Sequence, residues 1–331
     1  MKKIIAIALC LMMLSGVMTG CGTPYSNGDK LSIVTTIFPE YDWVIQILGD
    51  KAGQTEVTLL LDNGVDLHSY QPTADDIIRI SNCDMFIYVG GESDEWAEDV
   101  LSKSTGRDMA VINLLEALGD GAKEEEVKEG MQGEKHEHGD GREDEDHDQG
   151  EETEYDEHVW LSLKNAAKLC GCIAEKLCEL DPAGKDVYKA NADAYIEKLN
   201  VLDKRYQDAV DAAETKTLLF ADRFPFRYLT DDYGLDYYAA FAGCSAESEA
   251  SFETILFLAN KVDELGLSSV FQIEGSDGRI ARTVSDTTKS KDQTVLTLDS
   301  MQSTTMADVK NGASYLSVME KNLEVLKDAL K

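Results

Sequence analysis

The chain has 331 residues, long enough for two lobes that each bury a core, and its 43% apolar content is that of a folded protein. A formal charge of −32 would repel a phosphate backbone, which excludes nucleic acid as a partner. An acidic surface draws cations without naming one.

From the N-terminus, Met1-Lys2-Lys3 supplies positive charge, and an apolar run over 4–14 is too short to span a bilayer as a mature helix. It leads to Met18-Thr19-Gly20-Cys21, which resembles a bacterial lipobox ending in the cysteine that is lipidated. Residues 1–20 therefore read as a lipoprotein signal peptide, Cys21 as the lipid anchor and 21–30 as a tether. This places the protein outside the cytoplasm, on the cell membrane.

The β-branched run over 31–37 predicts a buried strand, and further strands are expected at 56–61, 85–89 and 110–114. Helices are expected between them at 41–49, 73–81 and 95–101. Strands alternating with helices imply parallel pairing, so 31–182 forms an α/β lobe. Within it, 123–157 is an acidic loop with seventeen acids against four bases. With almost no apolar side chains, that loop cannot offset its ordering entropy by burial.

A helix is expected over 163–180, stopped by Asp181-Pro182. A linking helix follows over 183–213, with Tyr188, Tyr195, Leu199, Leu202, Tyr206 and Ala209 at helical spacing. Alternation resumes over 214–331, with strands at 217–221, 237–241, 269–272 and 295–298. The intervening helices fall at 224–233, 252–265 and 278–285, and a last one at 313–330. The expected fold class is α/β, two Rossmann-like lobes with parallel sheets joined by one long helix.

All five histidines lie between His68 and His158. Imidazole is the commonest protein ligand for transition metals, and carboxylates complete such sites. His136, His138 and His147 sit in the acidic loop, a tract suited to collecting metal weakly and passing it to a tighter site. His68 and His158 each stand at the end of an apolar run where a loop leaves the lobe. Beyond Cys10 and Cys21, the odd set Cys83, Cys170, Cys172, Cys178 and Cys244 cannot all pair, and these read as structural thiols. HExxH, GxSxG, P-loop and GxGxxG motifs are all missing, so the chain is not read as an enzyme.

GVDLHSYQPTADD, then DEHVWLS after a His-bearing acidic loop, then a long helix and a closing GASYLSVMEKNLEVLKDAL resemble the metal-binding lipoproteins of ATP-driven zinc and manganese importers. The similarity runs in order and spacing from Leu31 to Lys331. It implies two lobes on one rigid helix, a divalent ion between them, and delivery to a permease with a cytoplasmic ATPase by a monomeric protein. It further implies His68 and His158 as first-lobe ligands. From the second lobe it implies Asp222, at a place where Arg223 and Pro225 depart from the usual pattern, and Asp299; Glu274, Glu247 and Glu249 are held in reserve. Zn²⁺ is the expected cargo and Mn²⁺ the alternative. A zinc-dependent surface hydrolase and a metal-stabilised adhesin are the competing functions.

Overall fold

The computed structural model describes residues 30–103, 108–132, 154–245 and 249–331. Cys21, Glu247 and the loop histidines His136, His138 and His147 lie outside the described residues.

The first lobe holds strands β1 (Leu31–Thr35), β2 (Thr55–Leu59), β3 (Met85–Tyr88) and β4 (Ala110–Asn113), all parallel in the order β2-β1-β3-β4. Its helices are α1 (Phe38–Leu48), α2 (Ala74–Asn82), α3 (Glu95–Lys103), the short α4 (Leu114–Leu118) and α5 (Leu163–Leu180). The second lobe repeats the plan with β5 (Thr217–Phe224), β6 (Asp236–Ala242), β7 (Ser269–Ile273) and β8 (Thr294–Leu298), parallel in the order β6-β5-β7-β8. Around it lie α7 (Arg227–Tyr233), α8 (Phe252–Leu265), α9 (Arg279–Thr287) and α10 (Met306–Lys310). Open parallel sheets bind ligands beyond the carboxyl ends of their strands, near the point where strand order reverses. Apart from Asp222, which lies within β5, every candidate side chain among the described residues belongs to a segment that follows such an end.

Helix α6 (Lys185–Asp211) joins the lobes over 27 residues, about 40 Å at 1.5 Å per residue. Its apolar stripe is buried at Tyr188, Ala192, Tyr195, Leu199, Leu202, Tyr206 and Val210. The buried hydroxyls on that stripe find partners in both halves. Tyr195 donates to Asp42 of α1 at 3.1 Å, and Asn191 to the Ile47 carbonyl at 3.0 Å. Further along, Tyr206 donates to the Met319 carbonyl at 2.6 Å. Met319 belongs to the last helix, α11 (Tyr315–Ala329), which also reaches the first lobe through Tyr315, whose hydroxyl donates to the Trp160 carbonyl at 2.6 Å. One continuous core therefore runs from Leu31 to Leu330 through both lobes. A linker packed on both sides resists wide hinging, since closely packed interiors transmit displacement.

Two segments depart from expectation. Strand β5 continues through Asp222 to Phe224, where the expected strand ended at Ala221, and its register against β6 shifts between Phe220 and Arg223. The acidic segment, expected wholly in the first lobe, begins by crossing to the second. Gln132 bridges Phe241 of β6 and donates its amide to the Ala240 carbonyl at 2.9 Å. Lys128 pairs with Asp236 at 2.7 Å and sits 3.9 Å from the Tyr237 ring. Tyr228 ties both roots of the segment, accepting from the Lys123 amide and donating to the Asp156 carbonyl, each at 2.9 Å.

Candidate metal centre

His68 rides on a single 3-10 turn, Leu67–Ser69, that follows β2. Asp66 caps the turn, accepting from the His68 amide at 3.1 Å, while fully buried Leu67 anchors it. The His68 Nδ1 lies 2.7 Å from Ser93 Oγ and 3.3 Å from Glu157 Oε2. Gly91 makes room for that carboxylate, because a Cβ there would meet Glu157 Oε1 at 2.5 Å.

His158 precedes a second such turn, Val159–Leu161, whose residues are all fully buried. Asp156 Oδ1 accepts from the His158 amide at 2.9 Å and lies 3.0 Å from its Nδ1. Trp160 pins the turn to the second lobe by donating its indole N–H to the Ser300 carbonyl at 2.8 Å. Each imidazole thus turns Nδ1 to a carboxylate and leaves Nε2 free for other work, the outer-shell arrangement that orients metal-bound histidines.

The two free nitrogens face one another at 3.2 Å. In one tautomer His158 Nε2 donates to the Gln302 amide oxygen 3.1 Å away; with both Nδ1 atoms as donors instead, the facing Nε2 atoms carry lone pairs and offer no proton to share. A cation between them removes the conflict. Two nitrogens held ~2.0–2.1 Å from one tetrahedral zinc stand about 3.3 Å apart, so the observed spacing suits a shared ion.

The surrounding field favours positive charge. Burial pushes the Glu157 carboxyl up, but His68 and the Ser93 donors more than offset this and hold it below its ordinary value. Asp66 behaves likewise, with Arg223 and His68 outweighing burial. Its partner Arg223 reaches across the cleft, 2.6 Å away. Asp94 is the reverse case, since burial and then the Glu157 charge raise it to about 7. Burial, followed by Glu157, Glu125 and Asp156, also pushes the Cys244 thiol up.

Among the described residues, one group of potential ligands gathers, formed by His68, His158 and Cys244, whose ligand atoms lie within 4.8 Å of one another. Asp222 and Asp299 do not join it. Because β5 runs past Ala221, Asp222 sits within the strand, accepting from the Arg223 amide at 2.9 Å and the Ile273 amide at 3.4 Å. Asp299 caps its own turn through the Met301 amide at 2.8 Å. Glu274 is absorbed there too, accepting from the Ser300 amide and hydroxyl at 2.7 Å and the Gln302 amide at 3.1 Å. Burial and the nearby Asp299 charge raise Glu274 to about 7. Glu249 is exposed, 3.8 Å from Arg279. The turn these acids hold puts Met301 at φ +63°, a conformation costly for a side chain with a Cβ. It delivers Gln302, whose amide, oriented to satisfy its neighbours, donates to both Asp66 oxygens at 2.9 Å and sets its oxygen 3.1 Å from His158 Nε2.

Cys244 and Gln302 are the neighbours that sequence reasoning missed. Cys244 had one available signal, its place just beyond the carboxyl end of β6, where α/β sheets present ligands.

Residues 33–329 match the family described as zinc-uptake complex component A, periplasmic. The chain is 33% identical over 334 residues to the zinc-binding lipoprotein AdcA of Streptococcus pneumoniae serotype 4, covering 99% of this chain and 61% of AdcA. It thus spans about three-fifths of that relative's length. It is 32% identical over 327 residues to the high-affinity zinc uptake system protein ZnuA of Bacillus subtilis, covering 98% of this chain and 96% of that protein. The crystal structure of the Zn(II)-bound ZnuA-like domain of S. pneumoniae AdcA superposes with a TM-score of 0.69 at 30% identity, over 91% of this chain and 99% of that one. The metal-dependent lipoprotein YcdH of B. subtilis gives 0.71 at 28% identity, over 91% and 99%.

Proposed function

The chain belongs to the zinc-uptake component A family of metal-binding solute-binding proteins, and on that premise we propose that it captures extracytoplasmic Zn²⁺ between its lobes and delivers it to an ATP-driven permease. The family is one of transport components, not of enzymes. The observation that carries the proposal is the pair of Nε2 atoms at 3.2 Å, each ring backed by a carboxylate. His68 and His158 are the first-lobe ligands, and Zn²⁺ is cargo rather than a resident cofactor. The expected second-lobe donors Asp222 and Asp299 accept from backbone amides and stand outside the cluster of His68, His158 and Cys244, so either would have to move toward the imidazoles to share an ion with them.

Capture follows from preorganisation. The rings are already oriented, so the ion meets donors whose ordering cost is spent in folding. Release to the permease requires moving a second-lobe donor, because the continuous core through α6 opposes wide opening. Lipidation at Cys21 would keep the protein on the outer face of the membrane beside that permease. His136, His138 and His147 serve as a weak collecting tract. Mn²⁺, the alternative cargo, gains no support from the comparisons.

The test is competitive titration of the purified protein with Zn²⁺ and Mn²⁺, joined to co-purification with the permease encoded in the same cell. Tight binding of a single zinc ion, retained without the loop histidines and lost in His68→Ala, supports the reading. Equal affinity for manganese, or a permease complex unaffected by zinc, overturns it.

A further inference from the structure

The second lobe has no histidine, and the carboxylates expected from it are bonded to backbone amides. What it does place against the imidazoles is sulfur. Cys244 is a free thiol, and its Sγ shares a 4.8 Å cluster with a ring nitrogen of each histidine. The loop that carries it is built for close approach. At Gly243 an added Cβ would meet His158 Cε1 at 2.9 Å and Nδ1 at 3.0 Å, so only glycine lets this backbone lie against the ring. The next residue is held from the other side, where Glu125 of the crossing acidic segment accepts from the Cys244 amide at 3.1 Å. Ser245 beyond it is buried. A cysteine fixed on both flanks beside two converging imidazoles is placed as a ligand is placed.

We infer that Cys244 supplies the second lobe's ligand to zinc as a thiolate, completing a His68–His158–Cys244 tripod. This rests on the proposed zinc-capture function and adds a donor type that the acidic candidates would not supply. On binding, the S–H bond breaks, its proton passes to solvent, and the sulfur electron pair forms the Zn–S bond, so one proton is released per thiolate. The Gln302 amide oxygen lies 3.1 Å from His158 Nε2. The inference bears on selectivity. Thiolate is a soft ligand that favours Zn²⁺ over Mn²⁺, whereas a His/carboxylate shell accepts both. Without a third imidazole, sulfur is the group in this cleft that would discriminate.

The experiment uses Co²⁺ as a spectroscopic substitute for Zn²⁺ in the purified full chain. Bound Co²⁺ should give a thiolate-to-metal charge-transfer band in the near ultraviolet, absent in Cys244→Ser and retained when Cys172 or Cys178 is changed to Ser. Competition against a chelator should show Cys244→Ala weaker for Zn²⁺ by about 100-fold, with Mn²⁺ binding changed by less than about threefold. Matching melting curves for the metal-free variants would separate ligand loss from misfolding. If the wild type binds zinc through His68 but shows no charge-transfer band, and Cys244→Ala binds zinc equally well, the thiolate is ruled out while zinc capture stands. If the wild type binds neither Co²⁺ nor Zn²⁺, the capture function itself fails.

Discussion

The two halves of the cleft are built on the same four-stranded parallel sheet with the same strand order, yet they arm it differently. The first lobe spends two histidines on the cleft and sets a carboxylate behind each. The second spends its carboxylates on its own backbone amides and offers sulfur and an amide oxygen. A repeated fold therefore does not repeat its chemistry. The sheet fixes where loops converge, and the loops decide what they hold.

Removing a first-lobe imidazole should be the largest perturbation. A protein ligand to zinc carries on the order of 3 kcal/mol, so His68→Ala and His158→Ala should each weaken zinc by about 100-fold or more in chelator competition. If either left affinity intact, the contrast between the lobes would collapse.

The supporting acids come next. Glu157→Gln and Asp156→Asn should cost about 10–100-fold in zinc affinity while leaving the fold in place, because the rings lose their orienting partners. Isothermal titration alongside circular dichroism would check this.

A third contrast concerns a buried acid that is not among the candidate ligands. Burial, then Asp94, raises the first-lobe Glu40 from 4.5 to about 8, against donors from Thr36 and Ile37 that lower it. Below pH 4.5 both folded and unfolded chains hold this proton, and the folded form suffers no penalty. As pH rises toward 8 the unfolded chain releases the proton first, so stability falls through that window and levels off above it. Denaturation of metal-free protein at both ends of the window should show the wild type losing a few kcal/mol, on the order of 2–4, with Glu40→Gln nearly flat. A wild type as flat as the variant would contradict the raised value.

The smallest effect sharpens the comparison from the other side. Asp222→Ala and Asp299→Ala should change zinc affinity by less than about threefold if these carboxylates stay on their amides. A loss as deep as that of His68→Ala would restore them as ligands.

Much of the fold was legible because local signals agreed with the global plan. Helix α5 runs from its Ser162 cap to Asp181, and α8 from its Ser251 cap to Gly266, as their sequences imply. The tyrosine stripe announced α6. The short α4 and α10 carry too few turns to show periodicity, and they were not anticipated. At the site, His68 and His158 stood out by their scarcity and setting. Asp222 was named by the resemblance alone; the expected strand ended at Ala221, whereas a register shift lets β5 continue and sets the carboxylate on backbone donors. Cys244 carried only the weak signal of its place after β6. A lone thiol has no spacing partner, and its role depends on distances set by the opposite lobe.

The crossing of the acidic segment has one further consequence. β6 pairs with β5 on one side and is the outermost strand of the second sheet, so its other side would present unpaired amides and carbonyls to solvent. Such edges template strand addition between molecules. By docking Gln132 on Phe241 and Ala240, the chain blunts that edge with its own polar sequence. Shortening the acidic tract only beyond Gln132 would keep this guard, whereas removing it from Lys123 onward would bare β6 and invite self-association.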